Sequence, residues 1–181
     1  MNLPQLLAEL GTKGSSTTRE NKVLDVDVSE EKTNLAEKLY YENLSKKYGL
    51  YVEEYKILEM VYQQTGTKKK FDEFYIENVK VENGHVKHLN LGGTQVSDIS
   101  YLKELKNLKT LYLAETQVSD ISYLKELKNL NRLSLFNTQV SDINFLKDLK
   151  NLRTLSLRNT QVNPNDPIIL ELRNRGVDVR I

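Results

Sequence analysis

No cysteine occurs in these 181 residues, which excludes disulfides, thiolate catalysis and any cysteine-based zinc site. Histidine is almost as scarce. His85 and His88 are the two present, and alternation along a strand sends His88 to one face and leaves His85 nearer the turn, so no shared metal is expected. No Ser-His-Asp set, glycine-rich phosphate loop or pair of catalytic carboxylates can be argued, and Gly92-Gly93 reads as the edge of a strand. An enzyme, a cofactor and a small-molecule substrate are therefore not expected. No run approaches the roughly 20 apolar residues of a membrane span. The opening stretch lacks the basic and long apolar regions of a signal peptide, so a cytoplasmic protein is expected. A strong charge of either sign is missing too. The net charge is +1, with 12 basic and 14 acidic groups in residues 1–80 against 14 and 11 in 81–181. Neither half is the strong field that a general affinity for nucleic acid or anionic membranes requires.

What the chain has is repetition. Residues 94–108 read TQVSDISYLKELKNL, and 116–130 read the same fifteen residues at an offset of 22. A third copy begins at Thr138 and a degraded fourth at Thr160. A short fixed period implies a stacked array, in which each unit buries its apolar face against its neighbours. Leu108, Leu111, Leu113, Thr116 and Val118 follow L-x-x-L-x-L-x-x-T-x-V, and the pattern recurs from Leu130 and from Leu152. This resembles the leucine-rich repeat family, in the 22-residue class found in internalins and many bacterial cytoplasmic proteins. The resemblance covers roughly residues 85–181. It implies an α/β fold: a right-handed solenoid with a parallel concave sheet, short convex turns and a helical N-terminal cap.

Between 94–115 and 116–137, five positions differ: 109/131, 110/132, 112/134, 114/136 and 115/137. All five lie beside the strand leucines. Leu111 and Leu113 point inward, so Thr110, Tyr112 and Ala114 point onto the concave face. Lys103, Lys106 and Asn107 are also expected to be exposed, yet they recur unchanged. Diversification for recognition explains this contrast better than drift, although drift alone would also vary exposed strand positions. The concave columns then read His88, Thr110, Arg132, Thr154; Asn90, Tyr112, Ser134, Ser156, Asp178; and Gly92, Ala114, Phe136, Arg158, Arg180. Candidate partner-binding residues are Tyr112, Glu115, Arg132, Phe136, Asn137, Arg158 and Arg180. Aromatic and arginine side chains dominate interface energetics.

Around the array, residues 1–30 read as a flexible segment with a short amphipathic stretch, Leu3, Leu6, Leu7 and Leu10. It is either a frayed terminus or a tethered docking helix. Residues 31–84 read as a helical cap and entry hairpin. One helix carries Leu35, Leu39 and Leu44, and a second carries Tyr55, Leu58, Val61 and Tyr62 and closes at Thr65-Gly66. An aromatic segment, Phe71, Phe74 and Tyr75, follows, then an Asn83-Gly84 turn. The sequence here resembles bacterial leucine-rich repeat caps, with phenylalanine and tyrosine where tryptophan is usual. Residues 85–181 form the repeat domain, ended by a helix capped by Asp166 and Pro167 and a last strand.

Recurring polar residues read mainly as structure. Thr94, Thr116, Thr138 and Thr160 suggest a ladder bonding the backbone of adjacent turns. Asp98, Asp120 and Asp142 form a column that does not converge on one ion, so each should accept backbone N–H bonds within its convex turn. Tyr101, Tyr123 and Phe145 should cover the leucine core on the convex flank. The reading that results is a non-enzymatic module that binds another protein on its concave face. The runner-up is a scaffold or accessory subunit docked through the N-terminal segment, the convex face or the terminal strand, with self-association through that strand left open. Nucleic acid ranks third.

Overall fold

The computed structural model describes residues 24–181, with side chains from Thr33 onward. The Leu3–Leu10 stretch lies outside the described residues. The chain divides into two compact units between Tyr48 and Gly49, inside the 31–84 region assigned from sequence to the cap.

Helix α1, Leu24–Tyr48, belongs to the first unit and ends before Gly49, which takes a left-handed φ of 65°. Its described part does not bury the expected leucine stripe. Leu35 and Leu39 are 57% and 49% exposed, and the buried residues are Ala36 and Ser45. The Ser45 hydroxyl donates to the Glu42 carbonyl at 3.0 Å, within its own helix.

The second unit begins with α2, Val52–Gln64, and α3, Phe71–Asn78. Acidic residues occupy the first turn of each, Glu53 and Glu54, then Asp72 and Glu73, where they complement the positive end of the helix dipole. Tyr55, Ile57, Leu58 and Val61 bury one face of α2. Tyr62, Phe71 and Phe74 form an aromatic cluster with centroids 5.3 to 6.2 Å apart, filling a space that smaller side chains would leave empty.

Strand β1, Val79–Glu82, pairs antiparallel with β2, His85–Asn90, through the expected turn at Asn83 (φ 53°) and Gly84 (φ 80°). Gly84 has a second constraint, because a Cβ there would stand 2.6 Å from the Tyr51 ring. Strands β3 (Thr110–Tyr112), β4 (Arg132–Ser134), β5 (Thr154–Ser156) and β6 (Asp178–Arg180) then add in parallel, in chain order. Between strands the chain returns through short 3-10 turns, Ser100–Glu104, Ser122–Glu126 and Asn144–Asp148. The last return is instead a true helix, α4, Pro167–Asn174, whose N-cap Asp166 accepts from Ile168 N at 2.8 Å.

The first three repeats contribute the same buried set; in the second it is Val118, Ile121, Leu124, Leu127, Leu130, Leu133 and Leu135. The aspartates behave as expected: Asp98, Asp120 and Asp142 accept from the backbone N–H two residues on, at 2.8 to 2.9 Å. The threonines do not. Each hydroxyl donates to the carbonyl three residues back, Thr116 to Leu113 at 2.7 Å and Thr138 to Leu135 at 2.8 Å, so it closes its own turn. A hydroxyl on Cβ is too short to span a repeat spacing of roughly 4.8 Å and still meet an acceptor. The inter-repeat side-chain ladder runs through asparagine instead. Asn129 Nδ2 donates to Lys106 O and Asn151 Nδ2 to Lys128 O, at 2.9 and 2.7 Å. The unvarying asparagine column therefore has structural work, and its constancy is no measure of drift.

Where α2 meets the array, it presents the group that a preceding repeat would. Gln117, Gln139 and Gln161 each donate their N–H to a valine carbonyl of the repeat before, Val96, Val118 and Val140. Gln95 has no such repeat before it, and it donates to Thr65 O at 3.1 Å. Glu54, buried on α2, accepts from Val86 N at 2.6 Å and lies 2.7 Å from His85 Nδ1.

Candidate functional site

The outward face of the sheet is set by alternation. Leu89, Leu111, Leu133, Leu155 and Val179 align in one inward row. Flanking rows face out: His88, Thr110, Arg132, Thr154 and Asp178, then Asn90, Tyr112, Ser134, Ser156 and Arg180. The last members correct the expected columns. A strict 22-residue period would set Asp178 beside Ser156 and Arg180 beside Arg158. The return that contains α4 is two residues longer than those through the 3-10 turns, so β6 pairs two residues later, with Ser156 opposite Arg180.

That shift moves Arg180 onto the outward face of the sheet, in the row of Tyr112. Tyr112, Arg132 and Arg180, with Leu133, Ser134, Thr154 and Ser156, line a depression of about 470 Å³. Arg180 is steered there by its neighbour, with Nε and Nη2 both donating to Asp178 Oδ2, at 3.0 and 2.9 Å. Tyr112 is held edge-on by His88, with ring centroids 5.3 Å apart. Burial, and then the Lys80 charge, lower the His88 pKa, so its imidazole is neutral at neutral pH.

Of the seven expected residues, the fold thus gathers Tyr112, Arg132 and Arg180. Glu115, Phe136, Asn137 and Arg158 do not line the depression; they follow the strands, where the chain turns off the sheet. Glu115 and Asn137 are exposed at left-handed φ values of 58° and 54°, matching Gly93 and Asn159 in the other repeats. Phe136 is half-buried, and its carbonyl accepts from Glu115 N at 2.8 Å; that of Arg158 accepts from Asn137 N at 2.9 Å. The hydroxyl floor, Ser134, Thr154 and Ser156, was not among the candidates, because small residues carry no interface signal on their own. Its signal was available in the period of two, once the register of β6 is known.

Residues 85–126 match the family model for leucine rich repeats in two copies. The chain carries leucine-rich repeats. Its fold is the leucine-rich repeat solenoid, an open sheet with the repeats' turns on the opposite side. Solved structures similar to this chain include an internalin (inlF) from Listeria monocytogenes. The two are 35% identical with a TM-score of 0.46, over 52% of this chain and 27% of that one. Another is internalin C2 from the same species, 31% identical, TM-score 0.44, over 53% and 50%. A leucine-rich repeat protein from Leptospira interrogans is 24% identical, TM-score 0.45, over 50% and 24%. The chain thus spans between 24% and 50% of the length of those proteins. No curated protein matches it. Among the described residues, no helix is long and apolar enough to cross a membrane.

Proposed function

We propose that this protein is a non-enzymatic adaptor, working in the cytoplasm, that recognises another protein on the concave face of its repeat sheet. The leucine-rich repeat match supports a protein-interaction module in general, since the fold is typically a non-enzymatic one. The observation that favours the concave face is the convergence of Tyr112, Arg132 and Arg180 on one depression. An aromatic wall and two guanidiniums in a concavity are the composition of an interface anchor point. Cross-linking tests the reading. A photoreactive residue at Ser134 should capture a partner from the native cell, and one at Lys125 on the opposite turns should not. Capture of the same protein at Lys125 alone would give the scaffold reading in its place.

A further inference from the structure

We propose that the concave depression receives an extended acidic segment of the partner, whose aspartate or glutamate side chains pair with Arg132 and Arg180 while apolar neighbours pack on Tyr112. This rests on concave recognition and supplies its ligand class.

Three observations carry it. First, Arg132 makes no ion pair among the described residues, and neither do Arg153 and Arg158, whereas Arg180 has Asp178. The lining therefore holds a surplus of positive charge in a site that a partner would shield from water, where a carboxylate bonds most strongly. Second, Ser134, Thr154 and Ser156 place hydroxyls between the two arginines, each able to donate to a carboxylate oxygen. Third, the cations are spread out. Arg132 on β4 and Arg180 on β6 lie two strands and two residues apart, about 12 Å at the backbone from strand spacing and rise. A single phosphate is bound by donors converging on one point. Arginines rooted this far apart on the sheet suit separate carboxylates on an extended chain, in which like-facing side chains recur roughly every 6.6 Å. Asp178 occupies two donors of Arg180 and leaves Nη1 for the partner. It also repels a continuous polyanion, which disfavours a nucleic acid.

The test uses three six-residue peptides that alternate leucine with glutamate, with glutamine or with phosphoserine, followed by backbone and arginine side-chain NMR. A single-stranded oligonucleotide is run alongside. The glutamate peptide should shift Tyr112 and strands β4 to β6, bind about fivefold or more tighter than the glutamine peptide, and weaken as salt is raised. Arg132→Gln and Arg180→Gln should each reduce its affinity by a similar factor, with unchanged circular dichroism. Tighter binding of the phosphoserine peptide or the oligonucleotide, arginine variants that bind as wild type, or no shift at millimolar glutamate peptide would each overturn the acidic ligand. If glutamate and glutamine peptides shift the same strands equally, acid preference fails while concave recognition stands. Shifts confined to the convex turns would overturn both.

Discussion

Glu115 sits at φ 58° where the other repeats have glycine (Gly93, 70°) or asparagine (Asn137, 54°, and Asn159, 55°). The left-handed region costs an ordinary L-residue about 1–2 kcal/mol through the clash of Cβ with its following carbonyl, and asparagine tolerates it better. Replacing Glu115 with asparagine keeps the N–H bond to Phe136 O, which is made by the backbone. The side chain is exposed and has no ion pair among the described residues, so little is lost with the carboxylate. Glu115→Asn should therefore stabilise the array by about 0.5–1 kcal/mol; glycine should gain a similar amount, offset in part by its greater freedom when unfolded. Urea denaturation gives the measurement, as a raised midpoint at constant m-value. Gln117→Asn, on an exposed side chain of the next turn, is the control and should change little. A Glu115→Asn protein no more stable than wild type would refute the strain argument. If the variant is more stable yet binds its partner less well, the strain is retained for recognition, as at other functional sites.

The faces of the sheet can be checked with Leu133→Ala, which should cost roughly 2–5 kcal/mol as a core truncation, while Ser134→Ala beside it costs under about 0.5 kcal/mol; equal losses would mean inverted faces. The register of β6 can be read from paired cysteines. Ser156→Cys with Arg180→Cys should oxidise readily to a disulfide, and Arg158→Cys with Arg180→Cys should not, because only the first pair faces across adjacent strands. Burial, reinforced by Asp98, raises Tyr101 to about 12. Its folded form thus favours the protonated phenol, and the stability this gives is complete below pH 10 and lost as pH rises from 10 toward 12. Alkaline titration followed by tyrosinate absorbance should show a late-ionising group that disappears in Tyr101→Phe, beside Tyr75, which burial also raises.

The inward positions were legible because a strand period of two and a repeat period of 22 leave one assignment for each leucine, and all of those from Leu89 to Leu157 are buried. The aspartate caps, the Asn83-Gly84 turn and the Asp166-Pro167 helix start were legible for local reasons, since each bond closes within a few residues. What escaped depends on length or reach. Nothing in the pattern says that the return containing α4 is two residues longer than the others, yet that difference moved Arg180 from the column of Arg158 to that of Tyr112. The inter-repeat bonds were expected of threonine and are made by asparagine, because a side chain's reach to the neighbouring repeat is a matter of three dimensions. At Glu115 and Asn137 the backbone turn also restricts the choice of residue, which the residue type alone does not reveal.

The carbonyl of Thr65 has a consequence for how such a protein can change. To the first repeat it is indistinguishable from the valine carbonyl of another repeat, so every junction in the series is made by the same donor and the same acceptor. A recombination slip between the identical stretches at 94–108 and 116–130 would remove or insert one whole unit and leave every junction chemically intact. The width of the surface can therefore grow or shrink in steps of one strand, about 4.8 Å, with the cap and the terminal helix untouched. Such a molecule can be fitted to a longer or shorter partner by copy number first, and by substitutions on the added strand afterwards.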